Sequence, residues 1–305
     1  MTDTLIFFGN ERLATGVTSP ALVLQALLAA GYHIPVVVVA QSDTGKSRQE
    51  RSLEVAAVAE AHGIEVIAPR KFADIQEQLQ HHNASAGILV AYGKIVPQAI
   101  IDIFPKGIIN IHPSLLPKHR GPTPLESAIL SNDKETGVSL MSLAADMDAG
   151  PVYAQETILL NGSESKQQLA DQLLEIGANM LVQYLPDILS NKLTATPQDN
   201  SQATYDKKIS KDAGRLDWNK PAEELVREVR AYAGWPKCRA LLANMELIVT
   251  AAHALQGNGL PGSMWLEGRE FGVFCNPGIL AIDTLIPPGR KEMTGQAFLA
   301  GYKPI

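Results

Sequence analysis

Asn110, His112 and Asp148 are the residues in this chain best suited to chemistry. The first two stand in INIHPS and the third in DMDAGP. Along an extended strand, residues i and i+2 point to the same face, so Asn110 and His112 project together. An amide N–H beside an imidazole suits acyl transfer: the amide stabilises an oxyanion while the ring moves a proton. The competing reading is a hydrogen-bonded structural pair. Asp148 lies on a glycine-containing turn between two strand-like runs, and a carboxylate that reached His112 would fix the orientation of the ring. Asp146, in the same turn, competes for that role, and an aspartate in a turn is often only a turn former.

Other candidates are weaker. Directly after His112 comes HPSLLPKHRGPTP, whose prolines and unpaired apolar residues make a stiff loop with backbone groups free for a ligand. Ser114 as a nucleophile with His112 as its base is a poor arrangement, because the two are i, i+2 neighbours and no G-x-S-x-G elbow is present. The stretch AQSDTGKS, Ala40 to Ser47, resembles the phosphate-cradling loop G-x-x-x-x-G-K-S/T with alanine at the first glycine. It follows the second strand, and no strand ends in a clear magnesium-binding aspartate. A solvated turn with a basic helix start is the better reading. Cys238, Cys275, His81 and His82 read as core or surface residues.

These residues need elements to hold them. Apolar runs at Thr4 to Gly9, Ile34 to Ala40, Glu65 to Pro69, Ala86 to Gly93 and Gly107 to Ser114 read as strands. Their nearly continuous apolar character suits strands buried on both faces of a parallel sheet. Helical patterns lie between them. SPALVLQALLAAG offers Ser19 as N-cap, Pro20 at the first helical position and Gly31 at the end, and RSLEVAAVAEAHG ends at Gly63. Strand and helix alternating through short links predict a doubly wound α/β sheet. In such sheets ligands bind beyond the C-terminal strand ends, where Asn110 and His112 fall. After residue 134, two strand-like runs flank Asp146 to Pro151 as a hairpin or antiparallel pair. A long amphipathic helix follows from about Ser163, its N-cap, to Ser190. The polar stretch 191–206 reads as a linker. Beyond it, one helix (PAEELVREVRAYA) and several short strands separated by Gly and Pro predict a small β-barrel. The expected domains are therefore 1–190, catalytic; 191–206, linker; and 207–305, barrel.

The chain has 305 residues, 46% hydrophobic and 19% charged, which suits a globular protein of two domains or one large one. No apolar run reaches the roughly 18 residues of a membrane span, and MTDTLIFFGN has neither a basic flank nor a small-residue cleavage site. The two cysteines lie far apart without metal-ligand spacing, so neither a disulfide framework nor a zinc site is expected and a reducing cytoplasm fits. Charge is uneven. Residues 206–305 hold 13 Lys+Arg against 11 Asp+Glu, whereas the remainder holds 13 against 21. This balance permits a polyanion at the C-terminal third without indicating one.

AYGKIVP (Ala91 to Pro97), INIHPSLLPKHRGPTP (Ile109 to Pro124), ETGVSLMSLAADMDAGPV (Glu135 to Val152) and ATYDKKISKDAGRLDWNKPAEELVREVRAYAGWP (Ala203 to Pro236) resemble the methionyl-tRNA formyltransferase family, nearly end to end. The N-x-H-x-S-L-L-P element with a later D-x-G marks the wider superfamily that uses 10-formyltetrahydrofolate. The C-terminal stretch is more specific to the tRNA enzymes. The resemblance implies a formyl-binding α/β domain, a linker, and a C-terminal barrel of the oligonucleotide/oligosaccharide-binding type. It implies that Asn110 holds the formyl oxygen, that His112 shuttles protons, and that Asp148 orients His112 and relays the proton from the attacking amine. Ser114, Leu115, Leu116 and Pro117 would line the folate pocket. The co-substrate would be 10-formyltetrahydrofolate, with no metal. The acceptor would be the methionine amino group on initiator Met-tRNA, and the enzyme a monomer of the bacterial cytoplasm. The family's longer basic insertion after the second strand is represented here only by QSDTGKSRQERS, in which Lys46, Arg48 and Arg51 would contact tRNA phosphates. Two alternatives stand beside this expectation: a formyltransferase acting on a nucleotide-linked amino sugar, and a catalytically silent folate- or RNA-binding module.

Overall fold

The computed structural model describes residues 3–40, 53–242 and 244–302. Two compact units are present. The first comprises Met1–Pro124, Glu135–Leu159 and Gln167–Lys207; the second comprises Leu125–Lys134, Leu160–Lys166 and Lys208–Ile305.

The first unit is built as the apolar runs predict. Strands β1 (Thr4–Gly9), β2 (His33–Val38), β3 (Glu65–Ile67), β4 (Ala86–Val90) and β5 (Ile108–His112) alternate with helices α1 (Leu22–Ala29), α2 (Glu54–Ala61), α3 (Gln76–His81) and α4 (Gln98–Ile101). Helix α5 (Pro124–Leu130), whose residues from Leu125 belong to the second unit, precedes β6 (Glu135–Ser142), β7 (Val152–Leu159) and the long helix α6 (Lys166–Leu189). The sheet order is β3-β2-β1-β4-β5-β6-β7. The first five strands run parallel, and β6 and β7 are added antiparallel. Phe7, Val37, Ile88 and Ile109 show no exposed surface, as expected of strands covered on both faces. Helix α6 buries Leu169, Leu173, Leu174, Ala178, Leu181 and Leu185 along one stripe. Gly177 lets it come close: a Cβ there would stand 2.6 Å from Ile111 Cγ2 of β5.

Two helix starts differ from the sequence expectation. Helix α1 begins at Leu22, and its flanking residue Ala21 makes no side-chain cap. The cap comes from Glu11, whose two carboxylate oxygens accept from Val23 N at 3.0 Å and Leu24 N at 2.9 Å. These are orphan donors of the first turn, and any acceptor that reaches them satisfies them. Helix α6 begins at Lys166, three residues after Ser163, because Ser163 gives both its N–H and its hydroxyl to Asn161 Oδ1.

The second unit holds α7 (Ala222–Ala231), β8 (Cys238–Leu242), β9 (Met245–Leu255), β10 (Met264–Glu267), β11 (Glu270–Phe274), β12 (Ile279–Ile286), β13 (Met293–Thr294) and α8 (Gly295–Tyr302). Its strands form one antiparallel sheet ordered β10-β11-β12-β9-β8, with β13 on β12, curled into a half-barrel. Helix α7 turns Ala222, Leu225 and Val229 inward and packs on β9 and β12. Cys238 and Cys275 are free and buried, and burial pushes both thiols up. This unit also contains a fully buried ion pair, Lys166 Nζ to Glu126 Oε1 at 3.3 Å, with Lys166 also 3.3 Å from Trp235 O.

Candidate active site

Asn110 and His112 lie on β5, two residues apart at its C-terminal end, each only 5% exposed. Their neighbours across the ladders are Leu89 and Met141 for Asn110, and Ser139 for His112. Among the described residues, no side-chain hydrogen bond engages the Asn110 amide. That leaves both of its N–H donors for a ligand.

The His112 ring is held at one nitrogen. Nε2 lies 2.9 Å from His119 O, and since a carbonyl can only accept, Nε2 carries the hydrogen. In the neutral ring the lone pair is then on Nδ1, which faces Asp148 Oδ1 at 3.8 Å. That gap exceeds a hydrogen bond. The ring lone pair and the carboxylate therefore face each other across this gap. His119 O therefore fixes the ring's orientation, the task sequence reasoning gave to Asp148.

Asp148 is held from several sides. It adopts φ 49°, a left-handed conformation, and its Oδ2 accepts from Gly121 N at 2.8 Å. Gly121 itself has φ 115°, and a Cβ there would meet Asp206 O at 2.7 Å. The competing Asp146 is exposed and serves the turn through its carbonyl, which accepts from Ala149 N at 3.3 Å. The structure thus brings Asp148, and not Asp146, to His112.

The S-L-L-P loop is tied to the antiparallel strands. Ser139 Oγ donates to Ser114 O at 2.6 Å and accepts from Leu116 N at 3.1 Å, while Gln155 Nε2 reaches both Leu116 O and Ser139 Oγ at 2.8 Å. Ser114 is fully buried. Its N–H goes to His112 O and its hydroxyl to Lys118 O, so it shapes the loop and has no free polar group. Leu115 is half-buried. Leu116 and Pro117 line a cavity of about 330 Å³ together with Val152, Gln155, Pro197 and Gln198. Asn110, His112 and Asp148 lie outside that lining. Lys46, Arg48 and Arg51, with the stretch Gln41 to Ser47, fall outside the described residues.

Sequence reasoning missed a polar cluster from the segment read as a linker. Arg120, 1% exposed, gives Nε and Nη2 to Gln198 Oε1 at 3.0 and 2.8 Å, Nη1 to the Tyr205 hydroxyl at 2.8 Å, and Nη2 to Asn200 Oδ1 at 2.8 Å. His119 Nδ1 stands 3.1 Å from Asp206 Oδ1. The stretch 198–206, QDNSQATYD, reads from its sequence only as polar, and its partners Arg120 and His119 lie 78 to 87 residues away.

Formyl transferase models match residues 14–185 and, for the C-terminal domain, 208–303. The chain belongs to the formyl transferase family. Within it, a methionyl-tRNA formyltransferase of Chloroflexus aurantiacus is 37% identical over 97% of this chain and 96% of its own length. One from Methylococcus capsulatus is 36% identical over 98% and 96%. Among solved structures, an N-formyltransferase from Helicobacter canadensis, in complex with folinic acid and dTDP-3-aminofucose, covers 96% of this chain and 100% of its own at TM-score 0.69, with 18% identity. At that identity the likeness shows the fold. The formyl transferase family uses folate, and no group of three or more His, Cys, Asp or Glu among the described residues could hold a metal ion. No helix among them is long and apolar enough to cross a membrane.

Proposed function

We propose that this enzyme transfers the formyl group of 10-formyltetrahydrofolate to the amino group of methionine on initiator Met-tRNA, for translation initiation. The observation that carries this reading is the near full-length likeness, at 36–37% identity, to methionyl-tRNA formyltransferases.

The geometry of the first unit supplies the chemistry. The folate supplies the formyl group on N10. A carbon–nitrogen bond forms to the amine, the bond to N10 breaks, one proton leaves the amine and one reaches N10. Asn110, with its amide uncommitted, donates to the formyl oxygen as negative charge gathers there, a contribution of about 3–4 kcal/mol to the barrier. His112 Nδ1 and Asp148 Oδ1 take up the amine proton between them. The apolar wall at Leu115, Leu116 and Pro117 suits a folate ring system, with Ser114 shaping the loop. The region 1–190, with the segment 191–206, carries the transfer. The region 207–305 and the loop residues Lys46, Arg48 and Arg51 address the tRNA. The enzyme acts as a monomer in the bacterial cytoplasm.

The test offers the purified protein 10-formyltetrahydrofolate with initiator Met-tRNA and, in parallel, a nucleotide-linked amino sugar. Formylation of the tRNA alone is expected. Its binding should weaken log-linearly with salt as phosphate counterions are released. Transfer to the sugar, or to neither acceptor, would overturn the reading.

A further inference from the structure

Asp148 adopts φ 49°, in the left-handed region that aspartate visits more readily than most non-glycine residues, and the fold holds it there. The holding contacts come from Gln198. Its amide nitrogen has two hydrogens and uses both, one to Asp148 O at 2.8 Å and one to Gly150 O at 2.7 Å. The two carbonyls belong to the turn that presents the Asp148 carboxylate to His112. An amide can flip, and a flipped Gln198 would set oxygen against oxygen on both carbonyls. Arg120 prevents this, because two of its N–H groups converge on Gln198 Oε1. Arg120 is in turn fixed by Tyr205 and Asn200, with its guanidinium carbon 5.5 Å from the Tyr205 ring centre. Its backbone pairs with the same segment, Arg120 N to Thr204 O at 2.9 Å and Asp206 N to Arg120 O at 2.7 Å. The next residue is Gly121, whose N–H holds the other carboxylate oxygen of Asp148. The chain is closed: one segment grips Asp148 by its backbone through Gln198 and by its side chain through Arg120–Gly121.

We propose that Gln198 is a positioning residue for the transfer reaction, acting through Asp148, with Arg120 setting the orientation of its amide. This rests on the reading of Asn110, His112 and Asp148 as the reacting centre. It also makes 198–206 part of the catalytic machinery, so a fragment cut near Asn200 loses Tyr205 and with it one of the fixings of Arg120.

The decisive variant is Gln198→Glu, which keeps an oxygen for Arg120 and removes both donors to the turn. Gln198 is only half-buried, so the substitution leaves the fold in place. A misplacement on the ångström scale costs up to about 100-fold in rate. In Gln198→Glu, kcat should fall about 10- to 100-fold. In an Asp148→Asn background the same change should lower kcat by less than about twofold, since the group it positions has already lost its charge. A similar loss in both backgrounds, or an unchanged kcat in the first, would overturn the proposal. A second readout needs no acceptor: hydrogen exchange at the Gly121 amide, whose acceptor is Asp148 Oδ2. Exchange should speed about tenfold or more in Gln198→Glu, and unchanged protection would overturn the proposal whichever amine the enzyme formylates.

Discussion

His112 presents two unlike nitrogens, one bound to the carbonyl of His119 and the other facing a carboxylate across 3.8 Å. The first contact fixes the tautomer, and the second gives an arriving proton a negative neighbour. Replacing Asp148 by Asn keeps an acceptor for Gly121 N and removes only the charge. Turnover should then fall by about 100-fold, within the range of general acid–base contributions, with folate affinity unchanged. Steady-state kinetics beside equilibrium folate binding checks this, and a loss smaller than about fivefold would contradict the role. At this scale the sequence was readable for Asn110 and His112, because period-2 geometry on one strand places them together. Turn geometry alone did not separate Asp146 from Asp148; the resemblance, through its D-x-G element, chose Asp148. Both share a turn, and what separates them is the N–H of Gly121, which belongs to a different loop.

Among the elements, the parallel strands were legible from their unbroken apolar runs, and β6 and β7 from two runs around a turn. The capping of α1 was not, because its acceptor, Glu11, stands outside the local pattern and reaches the helix only through the fold. The same holds for 191–206. Its residues Gln198, Tyr205 and Asp206 pair with Arg120 and His119, far away in sequence, and a reading based on periodicity sees only that the stretch is polar. Glu11 carries a measurable consequence. Burial raises its carboxyl from 4.5 to about 7, against the opposing pull of the α1 N–H groups. The folded chain thus holds this proton more tightly than the unfolded chain. The resulting stability is fully present below about pH 4.5 and is lost as pH rises to about 7, a change of about 3 kcal/mol from this group. Glu11→Gln, neutral throughout, should flatten that decline. Urea unfolding followed by circular dichroism at pH 4.5 and 7.5 reads it, and an undiminished pH dependence in the variant would contradict the assignment.

Across the whole molecule, the first unit holds Asn110, His112 and Asp148, and the second, which contains the half-barrel, is assembled from three stretches of chain. Lys166 and Glu126, each 1% exposed, join two of those stretches to the loop at Trp235. Removing one partner of such a buried pair strands a charge, so Lys166→Met should destabilise the second unit by about 3–5 kcal/mol, and Lys166→Met with Glu126→Leu should recover most of that. All three tryptophans, Trp218, Trp235 and Trp265, belong to this unit, so their fluorescence follows its unfolding in urea. A double variant no more stable than the single would contradict the pairing. The central claim is that formyl transfer takes place at the end of β5, and Asn110→Ala tests it most directly. The measurement is single-turnover transfer from 10-formyltetrahydrofolate to initiator Met-tRNA, with folate affinity determined on the same protein. The rate should fall by about 100- to 1,000-fold while folate binds within about twofold of the parent. A near-parental rate would place the chemistry elsewhere in the molecule.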